Sequence, residues 1–349
     1  ASSLLCSMAY AADLAPLKSD TEPDRTDWTQ LSSKYGPMPK VDSKLKIGGV
    51  SKTLTNEYWR SLGEGYQNVG KKYGFTVAYQ AAANEDDQLG QLSIAETLIS
   101  QGFNGLLVSP QTDINLEPAL ESATSKRIPV VNVNDAVMPN APYYVGNVQK
   151  DNGVRVAKWF IEHHPQGGKV AVIEGQPGVY AAGQRTSGFK ETLQANGKFN
   201  IVASVPANWS REQAFNAAST ILQQHPDLIG FYANNDTMAL GVVEAVRSLN
   251  KAGQVAVFGT DGISDAYASI KRGELTGTVD SFPVLTGEVA MEVMLRLIDG
   301  QKISRVVSTP QALITKENAD AFSTKDNDKL RQLLALPFAV HPRLLLAQQ

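Results

Sequence analysis

KIGGVSKTLTNEYW, from Lys46 to Trp59, is the stretch of sequence that decides the fold. It begins within a short apolar run, residues 45–50, which predicts a buried strand. Polar residues follow at once, and the aromatic pair Tyr58 and Trp59 opens a helical pattern. In open α/β sheets, ligands bind in the crevice beyond the carboxyl ends of the strands. We therefore expect the polar and aromatic residues after this strand to face a ligand.

The same alternation of apolar strand and helix runs through most of the chain. The predicted strands are 45–50, 75–79, 105–109, 129–133, 169–173, 200–205, 228–232, 254–258 and 275–280. The predicted helices are 57–73, 86–101, 114–126, 151–164, 181–195, 211–224, 236–248, 264–271 and 283–299. Continuous apolar strands indicate parallel sheets that helices cover on both faces. The sequence therefore predicts two successive α/β halves, and a cleft between such halves is a common ligand site.

The two ends of the chain do not follow this alternation. Residues 12–44 are polar and rich in proline, which predicts an extended or loosely docked extension held by Trp28 and Tyr35. At the other end, residues 317–349 form a tail with one predicted helix at 326–334. Residues 12–44 show no helix-turn-helix pattern.

The first residues, ASSLLCSMAYAADL, are similar to the end of a secretory signal. A short apolar stretch is followed by the small-x-small triplet Ala9-Tyr10-Ala11. The alternative is a disordered leader without a targeting role. Cys6 is the single cysteine, so no disulfide within the chain is expected. If the signal is real, the mature protein is exported and lacks cysteine, which suits a bacterial periplasm.

Composition excludes several classes of function. The 349 residues are 42% hydrophobic and 19% charged, with a net charge of −3. This charge gives no reason to expect a nucleic acid or an anionic membrane as partner. The histidines His163, His164, His225 and His341 lack metal-ligand spacing, and no nucleophile elbow or phosphate-binding loop is present. We therefore predict no metal, no cofactor and no enzymatic activity.

Five motifs occur in an order that resembles the ribose-type periplasmic sugar-binding proteins of ATP-binding-cassette importers. They are SKTLTNEYW, IPVVNVND, Gln184-Arg185 with Gly188-Phe189, YANNDTMALG and FGTDG. The resemblance covers roughly residues 45–316. It implies the type I periplasmic binding protein fold, with two doubly wound parallel-sheet α/β domains and a three-segment hinge near Val148, Ser281 and Arg305.

The resemblance also implies a domain division and a function. The implied units are 1–44 (leader remnant and extension), 45–148 plus 282–307 (first domain), 149–281 plus 308–316 (second domain) and 317–349 (tail). The implied function is capture of a small sugar or polyol in the interdomain cleft and its delivery to a membrane permease, by a periplasmic monomer. The alternative is a sugar-sensing domain in signalling or chemotaxis. A lactose-repressor-like regulator is less favoured because no DNA-binding headpiece is present.

A sugar presents hydroxyl groups around its rim and C–H groups on its faces. A binding site therefore needs polar side chains that hold hydroxyls and flat apolar side chains that cover the faces. Matching the family motifs gives the candidate ligand-binding residues Lys52, Asn56, Tyr58, Trp59, Asn134, Asp135, Arg185, Trp209, Asn235, Asp261 and Ser281.

Residues near the first strand have structural alternatives. Trp59 and Trp209 match stacking positions on opposite domains, and so does Tyr58 on the first, but core packing is the ordinary role of such rings. Asn56 could instead cap the helix that follows it. Lys52 could contact ligand oxygens, pair with a carboxylate or be a solvated surface charge.

Asn134 and Asp135 depart from the Asp-Arg pair that the family has at this position. The departure argues against ribose itself, and a turn-forming Asn-Asp pair is the alternative. Lys52 could neutralise the Asp135 carboxylate.

The second half supplies the remaining candidates. Arg185 and Asp261 match residues that hold ligand hydroxyls, with a salt bridge between them as the alternative. Asn235 is expected to face the ligand, while the following Asp236 is expected to cap its helix. Ser281 is shorter than the glutamine of the family, so Asp280 could substitute for it.

Overall fold

A computed structural model describes residues 14–336 of the chain. The strands, in chain order, are β1 (Arg25–Asp27), β2 (Lys46–Ser51), β3 (Thr76–Ala81), β4 (Gly105–Val108), β5 (Val130–Val133), β6 (Tyr144–Gly146), β7 (Gly168–Glu174), β8 (Phe199–Pro206), β9 (Gly230–Ala233), β10 (Ala256–Asp261), β11 (Gly277–Asp280), β12 (Val306–Ser308) and β13 (Ala312–Ile314). The helices are α1 (Leu31–Tyr35), α2 (Glu57–Tyr73), α3 (Gln88–Ser100), α4 (Glu117–Ser125), α5 (Gln149–His163), α6 (Tyr180–Asn196), α7 (Arg211–Gln224), α8 (Asp236–Ser248), α9 (Ser264–Lys271), α10 (Pro283–Ile298), α11 (Ala319–Phe322) and α12 (Asn327–Leu334). The predicted leader, with Cys6 and the Ala9-Tyr10-Ala11 triplet, lies outside the described residues.

These strands form two sheets. The first has the order β1-β12-β6-β5-β4-β2-β3, and its neighbouring strands are parallel. The second has the order β13-β11-β10-β9-β7-β8 and is parallel except for β13, which runs antiparallel to β11. Strands β4 and β5 are buried along their whole length, as expected where helices cover both faces. The predicted fold class is therefore confirmed.

The chain passes between the two sheets three times. After β6 it continues into α5, which packs against α6 beside the second sheet. After β11 it returns through α10, which packs against α2 beside the first sheet. The third passage lies between Ser308 and Ala312, C-terminal to the predicted position near Arg305. The binding cleft described below lies between the two halves that these passages connect.

Glycines allow close packing around β2. A Cβ atom added at Gly48 would lie 2.8 Å from Leu106 Cδ2 and 3.0 Å from Leu98 Cδ1. Gly65 of α2 likewise faces the backbone of α10 with no room for a Cβ atom. The glycines that interrupt the apolar run of β2 thus reflect crowding by neighbouring elements.

The extension before β2 is an integral part of the fold, so the prediction of loose docking was wrong. Strand β1 pairs with β12 and becomes the edge strand of the first sheet. Leu17 and Leu31 are buried, and Trp28 and Tyr35 pack against the hydrophobic core as predicted. A three-residue strand in a polar segment is too short to produce a period that sequence reasoning can detect.

Side-chain caps fix the starts of two predicted helices. Asp87 caps α3, since its carboxylate accepts a hydrogen bond from Gly90 N at 2.9 Å. Asp326 caps α12 in the same way, accepting from Asp328 N at 3.0 Å and from Lys329 N at 3.1 Å. The helix predicted at 326–334 is therefore present.

Candidate functional site

A narrow cavity lies between the two halves, beyond the carboxyl ends of strands from both sheets. About 210 Å³ of it is free of protein atoms. The residues that line it are Lys52, Asn56, Tyr58, Trp59, Glu85, Asp135, Trp209, Asn235 and Asp261. All of them except Glu85 are candidates from the sequence. The structure thus brings eight predicted residues to one place.

Lys52 and Asp135 form a buried ion pair in the cavity wall. Lys52 Nζ lies 2.6 Å from Asp135 Oδ1, and the two residues are only 1% and 7% exposed. A solvated surface charge is therefore the wrong interpretation of Lys52. Burial alone raises the pKa of Asp135, but the Lys52 ammonium and the Arg185 guanidinium outweigh it and hold that pKa below its usual value. Asp135 is therefore a carboxylate at neutral pH.

Arg185 lies behind Asp135 rather than in the cavity lining. Its Nη2 is 3.8 Å from Asp135 Oδ2. Its Nη1 donates to the carbonyl of Asn234 at 2.8 Å, and its Nε donates to Gln149 Oε1 at 3.1 Å. The alternative of a salt bridge to Asp261 is wrong, because Asp135 is the carboxylate within reach. Arg185 therefore positions Asp135 and adds positive charge to the cavity wall.

Three aromatic side chains bound the cavity. Tyr58 and Trp59 meet edge to face, with ring centroids 4.7 Å apart. Lys52 Nζ lies 5.5 Å from the Trp59 ring centroid and 5.3 Å from that of Trp209, so the two tryptophans flank the same region. Trp209 Nε1 is buried and has no hydrogen-bond partner within residues 14–336. An unpaired buried donor of this kind requires a ligand atom or water to satisfy it.

Two asparagines combine helix capping with a free amide. Asn56 Oδ1 accepts from Tyr58 N at 3.0 Å and caps α2, while Asn235 Oδ1 accepts from Met238 N at 3.0 Å and caps α8. Both residues also line the cavity, and their Nδ2 groups make no hydrogen bond to the described protein. The structural and ligand-binding interpretations of each asparagine are thus compatible.

The capping role predicted for Asp236 was wrong, since Asn235 is the cap. The Asp236 carboxylate turns away and accepts from Gly262 N at 2.7 Å, Ile263 N at 3.0 Å and Thr278 Oγ1 at 2.6 Å. It thereby holds the loop that follows β10. Burial raises the pKa of Asp236 to about 6.

Asp261 ends β10 with an unsatisfied carboxylate. It is 5% exposed, and no donor in the described part of the chain hydrogen-bonds to its side chain. Burial raises its pKa well above the usual range, and Arg185 opposes this only in part. Its φ of 140° is strained for a residue with a side chain. Hydroxyl donors of a ligand would satisfy this carboxylate.

Besides Arg185, two predicted candidates, Asn134 and Ser281, lie away from the cavity lining. Asn134 donates from Nδ2 to Tyr58 Oη at 2.7 Å, and its Oδ1 accepts from Tyr144 Oη at 3.0 Å and from Gln149 Nε2 at 3.1 Å. All of its polar atoms are therefore used within the protein, and it positions Tyr58. Ser281 is buried, and its backbone N–H donates to the carbonyl of Asp261 at 3.2 Å.

Asp280, the proposed substitute for Ser281, also faces elsewhere. Its carboxylate accepts from Tyr267 Oη at 2.6 Å and from Phe282 N at 2.7 Å. It lines a separate, larger groove of about 1520 Å³ that is open to solvent. The polar and aromatic groups with free hydrogen-bonding capacity converge instead on the narrow cavity, which is therefore the candidate site.

Glu85 is the lining residue that sequence reasoning missed. It lies in the loop between β3 and α3, and its Oε1 accepts from Trp59 Nε1 at 3.3 Å. Burial raises the pKa of Glu85 to about 7, while Lys52 lowers it. Its position could have identified it as a candidate, because Glu85 follows a strand of the parallel sheet, where ligand contacts are expected.

Direct contacts join the two halves around the cavity. Tyr180 N donates to Asp113 Oδ1 at 3.0 Å, and Ala181 N donates to the carbonyl of Asp135 at 3.2 Å. On another side, Ser264 N donates to Glu57 Oε2 at 2.5 Å. These contacts cross the cleft and hold the two halves together around the cavity.

Within residues 14–336, no group of three or more histidine, cysteine, aspartate or glutamate side chains is arranged to hold a metal ion. In the same range, none of the helices has both the length and the apolar character needed to cross a membrane.

Comparison with known proteins identifies the family. Residues 47–302 match the model of the periplasmic binding protein domain. The D-allose-binding periplasmic protein of Escherichia coli is 33% identical over 75% of this chain and 86% of its own length. The ribose import binding protein RbsB of Bacillus subtilis is 34% identical over 78% of this chain and 88% of its own.

Solved structures of solute-binding proteins share the fold of this chain. A periplasmic solute-binding protein of an ABC transporter from Actinobacillus succinogenes, with bound D-allose, is 32% identical and gives a TM-score of 0.76 over 80% of this chain and all of its own. A solute-binding protein from Mycobacterium smegmatis, with bound glycerol, is 29% identical with a TM-score of 0.75 over 81% of this chain and 98% of its own. From its fold, its cleft and these relatives, we conclude that the chain belongs to the periplasmic binding protein domain family of solute-binding proteins.

Proposed function

We propose that this protein takes up a small neutral sugar or polyol in the cleft between its two halves and delivers it to the permease of an ATP-binding-cassette importer. One observation carries the proposal. The Asp261 carboxylate, Trp209 Nε1 and the Nδ2 groups of Asn56 and Asn235 converge on one cavity that two tryptophans flank, and none of these groups has a hydrogen-bond partner among residues 14–336.

The free groups suit a polyhydroxyl ligand. A hydroxyl group can both donate and accept, so it can satisfy the carboxylate of Asp261 and the N–H groups of the asparagines and Trp209 at the same time. The faces of the tryptophans suit the C–H surface of a sugar. Relatives named for D-allose, ribose and xylitol support a ligand of monosaccharide size.

Closure of two domains around the ligand is part of the proposal. We assign residues 45–148 plus 282–308, together with strand β1, to one domain and residues 149–281 plus 309–316 to the other, which moves the predicted third boundary from residue 307 to the passage after Ser308. The contacts Asp113–Tyr180 and Glu57–Ser264 would form on closure, which would present a ligand-dependent surface to the permease. The protein would act as a monomer without nucleic acid, in the periplasm, after export through a cleaved signal peptide.

Calorimetric titration with D-allose, D-ribose, xylitol, glycerol and D-glucose tests the proposal. We expect saturable binding of one or two of these compounds with stereochemical preference. At a ligand concentration a hundredfold above the dissociation constant, stability should rise by about 2.7 kcal/mol, which thermal melting detects. Failure of every neutral sugar and polyol to bind would refute the proposal.

A further inference from the structure

Glu85 has one carboxylate oxygen available to a ligand. Its Oε1 accepts from Trp59 Nε1, and Oε2 has no donor among the residues that the structure describes. The loop that carries it is held in place by Gln111, whose Nε2 donates to the carbonyl of Asn84 at 2.8 Å and to that of Lys52 at 3.0 Å. A lining side chain on a loop fixed in this way is suited to precise recognition.

Three acidic side chains and one basic side chain line the cavity. Lys52 forms an ion pair with Asp135, and Arg185 lies behind that same carboxylate. Within the described part of the chain, Glu85 from the first half and Asp261 from the second half form no salt bridge. A ligand that lies between them must therefore offer hydroxyl donors in both directions.

We infer that Glu85 contacts the ligand and, together with Asp261, makes the cleft select neutral polyhydroxyl compounds over acidic ones. This inference deepens the proposed function and rests on it. A sugar acid or sugar phosphate would place its negative charge beside carboxylates that lack cations of their own. Because Lys52 is already paired with Asp135, the cavity lining offers that charge no free cation, so an acidic ligand is rejected even if its hydroxyls fit.

The test compares Glu85→Ala with the wild type in titrations with D-allose, or with D-ribose if it binds more tightly, and with the monodeoxy forms of that sugar. A hydrogen bond to a charged group predicts that Glu85→Ala weakens binding about 10- to 100-fold. The deoxy analogue that lacks the contacted hydroxyl should bind the wild type more weakly than the parent sugar does, by the same factor. To the Glu85→Ala variant, this analogue and the parent sugar should bind equally well. Asp86→Asn, an exposed change in the same loop, is the control and should stay within twofold of the wild type.

Glu85→Gln separates ligand contact from support of Trp59, since glutamine can still accept from the indole N–H. At pH 8, above the pKa of about 7 to which burial raises Glu85, D-allonate should gain at least tenfold relative to D-allose in this variant, because one negative charge has been removed. An unchanged ratio, or equal losses for every deoxy analogue in wild type and Glu85→Ala, would overturn the inference. If the wild type binds no sugar at all, the proposed function fails instead.

Residues 15–25 of the extension form a strap, and its two ends are held on the first half of the molecule. At one end, Arg305 Nη1 donates to the carbonyl of Ala15 at 2.7 Å, and Leu17 N donates to the carbonyl of Pro139 at 2.8 Å. At the other end, strand β1 begins and pairs with β12. The strap precedes residue 47, where the family match begins.

Between these ends, Asp20 contacts the second half. Its carboxylate accepts from Gln149 N and Lys150 N, both at 2.8 Å, and so caps α5, which lacks a cap from its own preceding residue, Val148. The backbone N–H of Asp20 donates to Tyr180 Oη at 3.2 Å. Because α5 begins at the first passage between the sheets, its cap can survive a rotation of the halves, whereas the contact to α6 cannot.

We propose that the strap stabilises the closed form and slows ligand release. The proposal rests on the proposed function but uses none of the cavity residues. Tyr180 begins α6, and its backbone N–H already contacts Asp113 across the cleft. Opening the cleft would therefore break the bond between Asp20 and the Tyr180 hydroxyl, so this bond adds to the barrier to release.

Stopped-flow tryptophan fluorescence with D-allose or D-ribose tests the strap. Loss of one hydrogen bond predicts that Tyr180→Phe releases the sugar about 2- to 10-fold faster, with association changed less than twofold. Tyr143→Phe is the matched control, because within residues 14–336 the Tyr143 hydroxyl has no hydrogen-bond partner. Asp20→Asn, which weakens the cap of α5, should lower the melting temperature as well. Release from Tyr180→Phe at the wild-type rate would refute the proposal, while a wild type that binds no sugar would refute the proposed function.

Discussion

Replacing Asp261 by asparagine should stabilise the unliganded protein and weaken ligand binding at the same time. The carboxylate is buried and receives no hydrogen bond from the described residues, so it is a cost to folding. Neutralising it should raise the free energy of unfolding by about 1 kcal/mol or more, which corresponds to roughly 2 °C in melting temperature for a protein of this size. In the complex with ligand, Asp261→Asn loses charge-assisted hydrogen bonds. Its binding free energy should therefore be about 2–3 kcal/mol less favourable than that of the wild type, which is roughly 30- to 150-fold in affinity.

The pH dependence provides a second measure of the same residue. Burial raises the pKa of Asp261 in the folded protein above its value in the unfolded chain, so the folded form binds the proton more tightly. The stability that the protonated form contributes is therefore present at acidic pH and is lost as the pH rises through the folded pKa. The advantage of Asp261→Asn over the wild type should grow as the pH rises above about 4.

Thermal melts without ligand between pH 4.5 and 8, and calorimetric titrations with the best sugar from the screen, measure both effects. Asp265→Asn, an exposed change in the following helix, is the control and should leave melting and binding unchanged. A variant that melts below the wild type without ligand, or one that binds as tightly as the wild type, would refute the reasoning.

Three further changes have expected outcomes. Lys52→Met leaves Asp135 buried without its nearest cation, so the free energy of unfolding measured in urea should fall by about 3–5 kcal/mol. A fall of less than about 1 kcal/mol would contradict the stabilising role of the ion pair. Trp209→Phe should bind the sugar more weakly and Trp209→Ala should not bind it measurably, whereas wild-type affinity in the alanine variant would exclude stacking. Burial raises the pKa of Asp280, which accepts from the Tyr267 hydroxyl, to about 7, so its contribution to stability is lost as the pH rises from about 4 through 7. Asp280→Asn should therefore flatten the dependence of melting temperature on pH in this window, and an unaltered slope would contradict the assignment.

The fold could be predicted from the sequence because its strands are continuous apolar runs and its helices are amphipathic. The resemblance then supplied the candidates, and most of them lie at carboxyl ends of strands, where the topology brings them together. Trp209, in the loop after β8, and Asp261, at the end of β10, are examples from the second half. Short elements were harder to detect, since β1 and β12 have three residues each and too few side chains to display a period.

The exceptions in the site have local physical causes. Asn134 follows a strand as a ligand residue should, but a network with Tyr58, Tyr144 and Gln149 uses its amide completely, and a single sequence does not reveal such long-range partners. Glu85 was missed because it lies in the acidic segment NEDD, where any one carboxylate looks like its neighbours. Only the packing of that loop against Trp59 distinguishes it.

Strand β1 has a consequence for how this protein is produced. Without it, β12 would be the outermost strand of the first sheet, with unpaired N–H and C=O groups and a buried arginine, Arg305, deprived of the Ala15 carbonyl. Exposed edges of this kind promote pairing with other molecules. The folding unit thus begins before residue 47, where the family match starts, and a protein that begins at residue 47 should aggregate where one that begins before Ala15 remains dispersed.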